Sequence, residues 1–134
     1  MGLIRRFHLT NPTGSRGEDI AATFLRSLGY RILDRNYRND RGRALGEIDI
    51  VAKEGKELVF VEVKTRTIPI GSVRTVIPEE SITQGKLRRL SRIAEGYVKE
   101  KRIDSVPYRF DAVSILIREG ADRPEIRHLK GIFL

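Results

Sequence analysis

Residues 46–66 read GEIDIVAKEGKELVFVEVKTR. Two runs within them, 46–53 and 57–65, have the aliphatic, β-branched content of buried strands, and the intervening Glu54-Gly55 is a hairpin signal. Against that apolar background stand Glu47, Asp49, Glu62 and Lys64. Side chains alternate along a strand, so Glu47, Asp49 and Val51 share one face while Ile48, Ile50 and Ala52 share the other. On the second strand Leu58, Phe60, Glu62 and Lys64 share a face, opposite Val59, Val61 and Val63. Pairing the wholly apolar sets gathers the four charges on one side. With Glu54-Gly55 as a two-residue turn, Glu47 falls directly across from Glu62, and Asp49 is its diagonal neighbour at ~5 to 8 Å between Cβ atoms.

Carboxylates set opposite one another repel, so something positive must compensate. Either Lys64 does so, two residues along on the same face, or a divalent cation does. Mg²⁺ takes hard oxygen ligands, keeps several waters, and is commonly held by one or two carboxylates plus a substrate phosphate. Such an ion lowers the pKa of a bound water and stabilises charge on a phosphate, with an adjacent ammonium to orient the water. That chemistry suits phosphodiester hydrolysis. The competing interpretation is a salt-bridged, solvent-facing side of a hairpin. Leu58 and Phe60 on the same face favour a covering helix and a cleft. Glu47 is then either a second metal ligand or a salt-bridge partner.

Working outward, residues 1–13 show no period, carry Arg5 and Arg6 and run into Asn-Pro, as a flexible basic arm would. From Ser15 a helical stripe of Ala21, Ala22, Phe24, Leu25 and Leu28 ends at Gly29. Ser15-Arg16-Gly17-Glu18 fits a capping box, but Glu18 also lies on the apolar stripe, where its carboxylate reaches the same cleft. Residues 30–38 predict a short strand. A loop over 67–78 leads to a second helix from Pro78 to Arg102. YRFDAVSILI predicts another strand and EIRHLKGIFL an edge strand. The order is helix, three strands, helix, strand: one α/β domain over 14–134 with a mixed β-sheet flanked by helices.

The second helix concentrates charge. Between Lys86 and Arg102 lie seven basic residues and two acidic ones. Leu87, Leu90, Ile93, Ala94 and Tyr97 form its apolar stripe, leaving Arg88, Arg89 and Arg92 on exposed flanks, either simply solvated or against phosphates. Gln84 and Lys86, at the helix start, are nearest the cleft. Asp111 has Arg109 beside it as a structural partner. Tyr37 and Tyr108 read as packing more than as base-stacking residues. His128 and the closing GIFL either form an interface between two copies, making a homodimer, or complete the core.

Composition agrees with a polyanionic partner. The 134 residues hold 26 Lys plus Arg against 18 Asp plus Glu, a formal charge of +8, which favours nucleic acid over a membrane surface. There is no Cys, and His8 and His128 are the only imidazoles, so a metal must sit on oxygen. No apolar run reaches the ~18 residues of a membrane span, and the N-terminus lacks a signal-peptide pattern. The expectation is a soluble, cytoplasmic protein.

The segments GSRGEDIAATFLRSLGYRILDRNYR, GEIDIVA, LVFVEVKTR, PEESITQGKLRRL and RFDAVSI together resemble the YraN family of bacterial proteins, itself similar to the restriction-endonuclease-like, PD-(D/E)xK, nuclease superfamily. They span about Gly14 to Ile115. The resemblance implies a restriction-endonuclease-like core of order α-β-β-β-α-β and Mg²⁺- or Mn²⁺-dependent cleavage of DNA. It implies an acid, acid, lysine core of Asp49, Glu62 and Lys64, with Glu18 matching the helix acid of related Holliday-junction resolvases. Ile48 stands where the superfamily motif has Pro, and residues 73–77 look like a short insertion. Two functions follow: a metal-dependent endonuclease, or a nucleic-acid-binding protein that keeps the fold without chemistry.

Overall fold

The computed structural model describes residues 13–38, 46–72 and 83–132. The basic arm expected over 1–13 lies outside them except for Thr13, as does the expected insertion at 73–77. Helix α1 spans Thr13–Ser27, followed by strands β1 (Arg31–Arg38), β2 (Glu47–Glu54) and β3 (Glu57–Ile68). Helix α2 (Gln84–Glu100) then leads to β4 (Tyr108–Arg118) and β5 (Glu125–Leu129). The five strands form one sheet in the order β1-β2-β3-β4-β5. Only β3 and β4 are parallel, so α2 is the crossover between them. This is the expected α/β order, with EIRHL as the edge strand.

A helix covers each face of the sheet. On one, Ala21, Ala22 and Leu25 of α1 pack on Ile50, Ala52, Val59, Val61, Val113 and Ile115. On the other, Leu90, Ile93, Ala94 and Tyr97 of α2 pack on Val51, Leu58 and Phe60. That double cover explains why β3 and β4 read as near-continuous apolar runs. Phe60 is the pivot of the α2 side, with Tyr97, Tyr108 and Phe110 rings 5.4–5.7 Å away. Burying a ring of that size contributes roughly 2–3 kcal/mol. Tyr37 packs edge-on against Tyr97 and its hydroxyl donates to Glu100, so both Tyr37 and Tyr108 serve packing.

Several boundaries differ from expectation. Leu28 falls in the turn after α1 and is 50% exposed rather than part of the stripe. Helix α2 begins after Thr83, which is extended (φ −97°, ψ 162°) and whose hydroxyl caps the helix by accepting from Lys86 N at 3.1 Å, while the expected start at Pro78 lies outside the described residues. Strand β3 continues to Ile68, three residues beyond the expected end, because β4 pairs with it as far as Ile68↔Arg118. The hairpin turn is Gly55-Lys56, not Glu54-Gly55. Gly55 (φ +59°) takes the first central position, where glycine is favoured, and Glu54 pairs with Glu57. The register therefore moves by two residues, and Asp49, not Glu47, comes level with Glu62.

Near this turn a buried ionic cluster fastens the sheet. Arg109 bonds Glu57 at 2.6 Å, Glu54 at 2.8 Å, Asp111 at 2.9 Å and the Tyr30 hydroxyl at 2.7 Å. Asp111, 1% exposed, also accepts from Gly131 N at 3.0 Å and pairs with His128 Nε2 at 2.8 Å. His128 stands edge-on to Phe24 and Tyr30, so it completes the core. Burial alone raises the Asp111 pKa, but the His128, Arg109 and Gly131 bonds outweigh it and hold the carboxyl below its ordinary value. A depressed carboxylate contributes stability above its unfolded pKa and loses it as pH falls through the folded one. Asp111→Ala should thus cost about 3–5 kcal/mol in urea unfolding at pH 7, because Arg109 loses one of its carboxylates and His128 Nε2 and Gly131 N lose the oxygen they bond. That difference should shrink as the pH is taken down through the acid range.

Candidate active site

Strands β2 and β3 part at the acids. Their ladder ends at Ile50↔Val61, while β2 stays paired with β1 through Tyr37↔Ile48 and Arg38↔Glu47. In place of a backbone partner, Val63 N donates to Asp49 Oδ2 at 2.7 Å. A side chain thus satisfies an amide that the divergence would leave unpaired. The split also breaks the expected alternation. Ile48 packs with Val51 and Phe60 beneath α2 instead of with Ile50 and Ala52 beneath α1. The four charges accordingly surround the open end of the hairpin and do not line a single sheet face.

Helix α1 reaches the site at its first turns. Gly17 lies so close to Thr65 that an added Cβ would collide with that side chain, which brings Glu18 to the open end. Glu18 is not capping its own helix, which begins at Thr13, ahead of Ser15. Its Oε1 accepts from Asn36 Nδ2 at 2.9 Å, and Arg35 lies 4.0 Å away. Asn36 also donates to Glu47 at 3.3 Å, and Glu47 pairs with Arg38 at 3.2 Å. Glu47 is therefore a salt-bridge partner as the chain stands.

Asn36 escaped the sequence reading. It adopts φ +52° within β1, a left-handed conformation that Asn tolerates better than most residues, and so ties two carboxylates together. Its signal was an Asn in the middle of a strand, a type depleted there.

Asp49 is the most perturbed of the acids. Burial first, then the Glu62 charge, and more weakly Glu18 and Glu47, raise its pKa from 3.8 to about 7, against the lowering effect of the Val63 bond. Lys64 is held below the ordinary lysine value by burial, then by Lys86 and Arg66, with Glu62 and Asp49 pulling the other way. Helix α2 contributes Lys86, whose Nζ lies 3.1 Å from Glu62 Oε1, with side chains 20% and 11% exposed. Gln84 is exposed and, among the described residues, makes no bond to these acids. Arg88, Arg89 and Arg92 are exposed along the same helix, and the Arg89 side chain runs beside Gly46 at the start of β2.

The donor set suits a hard cation. Among the described residues no three His, Cys, Asp or Glu converge closely enough to hold a metal by themselves. Asp49 and Glu62 are two coupled carboxylates, the complement Mg²⁺ accepts when waters and a phosphate fill its remaining positions. The elevated Asp49 pKa marks a carboxyl that is first of all buried and, beyond that, set near a second carboxylate.

The model of an uncharacterised protein family, UPF0102, matches residues 17–115. The chain is 44% identical to a UPF0102 protein of Geobacter sulfurreducens, covering 94% of this chain and 91% of that one. It is 42% identical to others from Caldicellulosiruptor saccharolyticus, covering 90% and 95%, and Chlorobaculum parvum, covering 95% of each.

Asp49→Asn tests the charge crowding. A carboxyl whose pKa is raised on folding opposes folding when ionised: the cost is absent below about pH 4, grows with pH and is complete above about 7. The variant should match wild type near pH 4 and exceed it at pH 8, in EDTA, by on the order of 2–4 kcal/mol in urea unfolding. A gap that does not change with pH would show that the Asp49 charge is not strained.

Proposed function

The chain belongs to the uncharacterised protein family UPF0102, and we propose that it is a cytoplasmic, Mg²⁺- or Mn²⁺-dependent endonuclease hydrolysing phosphodiester bonds in DNA, structured or branched DNA in particular. The observation that carries this reading is the parted hairpin, with buried Asp49 charge-coupled to Glu62 and Lys64 two residues further along β3. Val63 N occupies Asp49 Oδ2, which leaves Oδ1 for a ligand. Glu62 supplies a second oxygen, and Glu47 a third if it exchanges Arg38 for the ion. A divalent cation bound there supplies an acidified water and neutralises charge at the scissile phosphate.

The remaining roles fall to the chain's own groups. Lys64, with its lowered pKa, orients the attacking water or accepts its proton. Glu18, held by Asn36, assists from the α1 side. Gln84, Lys86, Arg88, Arg89 and Arg92 hold backbone phosphates without reading sequence. No helix among the described residues is long and apolar enough to cross a membrane, and the basic helix finds its partner in nucleic acid. A homodimer would place two such sites on one branched duplex.

The Glu62–Lys86 ion pair favours a second reading: a carboxylate already neutralised needs no cation, and the fold then binds nucleic acid without chemistry. Cleavage of labelled linear, nicked and four-way-junction DNA with Mg²⁺ and then Mn²⁺ separates the two. A nuclease should cut only with metal, and Glu62→Ala and Lys64→Ala should each lose about 100-fold or more of the rate. Binding without cutting, equal in wild type and variants and weakening steeply with salt, selects the second reading.

A further inference from the structure

We propose that Lys86 is a built-in counter-ion for Glu62 that a divalent cation displaces, and that the released ammonium then binds a phosphate of the nucleic acid. This rests on the metal-dependent nuclease reading and adds an order of events: the metal arms the phosphate contact.

The position of Lys86 is informative because the helix itself does not favour it. The first turn of α2 carries no acidic residue, and Lys86 sits there by virtue of the Thr83 cap on its own amide. A cation at a helix N-terminus lies against the positive end of the macrodipole. What offsets that is Glu62, 3.1 Å away in a largely covered pair. Removing the cation from such a pair leaves an uncompensated carboxylate, so Lys86 balances the Glu62 charge while the site is empty of other cations.

Lys86 is also one too many. Lys64 already lies within electrostatic reach of the same carboxylates and of Lys86. A doubly charged ion shared by Asp49 and Glu62 adds a third positive group, and Lys86, paired directly with Glu62, is the one it displaces. Lysine's flexible stem lets it swing out while its backbone stays capped. It then stands at the N-terminus of α2, whose positive dipole end favours a phosphate, next to Arg88 and Arg89. Metal and nucleic acid thereby favour each other's binding, because each draws one partner out of the Glu62–Lys86 pair, and this coupling is reciprocal.

The test uses full-length protein and Mn²⁺ titrated without DNA, followed by electron paramagnetic resonance. Lys86→Met should bind Mn²⁺ about tenfold or more tightly than wild type, because the competing charge is gone, while Lys86→Arg should stay near wild type. Lys86→Gln repeats the measurement should the Met variant fold poorly by circular dichroism. Binding to four-way-junction DNA gives the second readout. On going from EDTA to Ca²⁺, which permits binding without cutting, wild type should gain several-fold more affinity than Lys86→Met does. Mn²⁺ affinity that is unchanged or weaker in Lys86→Met and Lys86→Gln, in a protein that still cuts DNA, overturns the role of Lys86 and leaves the nuclease intact. Failure of wild type and both variants to bind Mn²⁺ overturns both.

Discussion

The bond from Val63 N to Asp49 Oδ2 is the constraint on which the rest of the structure turns. Two antiparallel strands that separate inside a protein leave backbone groups in need of partners, and each unmade bond costs about 1–3 kcal/mol. Here an aspartate side chain takes one of them. The bond lets β2 leave β3 after Ile50↔Val61 without ceasing to be part of the sheet, since β1 continues to hold it. From that departure follow the turning of Ile48 toward α2, the gap that admits Glu18 from α1, and the access of Lys86 to Glu62 from α2.

The electrostatics are a consequence of the same geometry. Helices on both faces leave the open end of the hairpin only partly exposed, and the four carboxylates around it have unequal support. Glu62 has Lys86, Glu47 has Arg38, and Glu18 has Asn36 with Arg35 nearby. Asp49 has a neutral amide, and it is the one whose pKa climbs to about 7. Desolvation and like-charge neighbours act in the same direction on it, which is the combination that marks functional carboxylates elsewhere.

Much of this was legible in the sequence because period and composition carry it. The apolar runs of β2, β3 and β4, the stripe of α2 and the element order all follow from burial, which dictates residue type over many positions at once. The acid, acid, lysine spacing of Asp49, Glu62 and Lys64 was legible too. The local geometry was less so. A single glycine, Gly55, fits either central position of a two-residue turn, and choosing the wrong one moved the pairing by two and set Glu47 against Glu62. Strict alternation placed Ile48 on one face with Ile50 and Ala52, because nothing in a string of residues announces that a strand will part from its neighbour. Ser15 and Glu18 match a capping box, but only the packing of Gly17 on Thr65 and the reach of Asn36 decide where that carboxylate is used.

The Arg109 cluster gives the hairpin an asymmetry with mechanical meaning. At the turn, Glu54 and Glu57 are tied through one guanidinium to Asp111 on β4 and to Tyr30 behind α1. At the other end the bond between the strands is a side-chain one, from Val63 N to Asp49. The pair behaves as a fork clamped at its handle, with tines whose spacing is set by whatever lies between them. Such a fork gives way at the tips under loads the handle resists, so the proposed cation site would adapt to ions of different radius by a small change in splay.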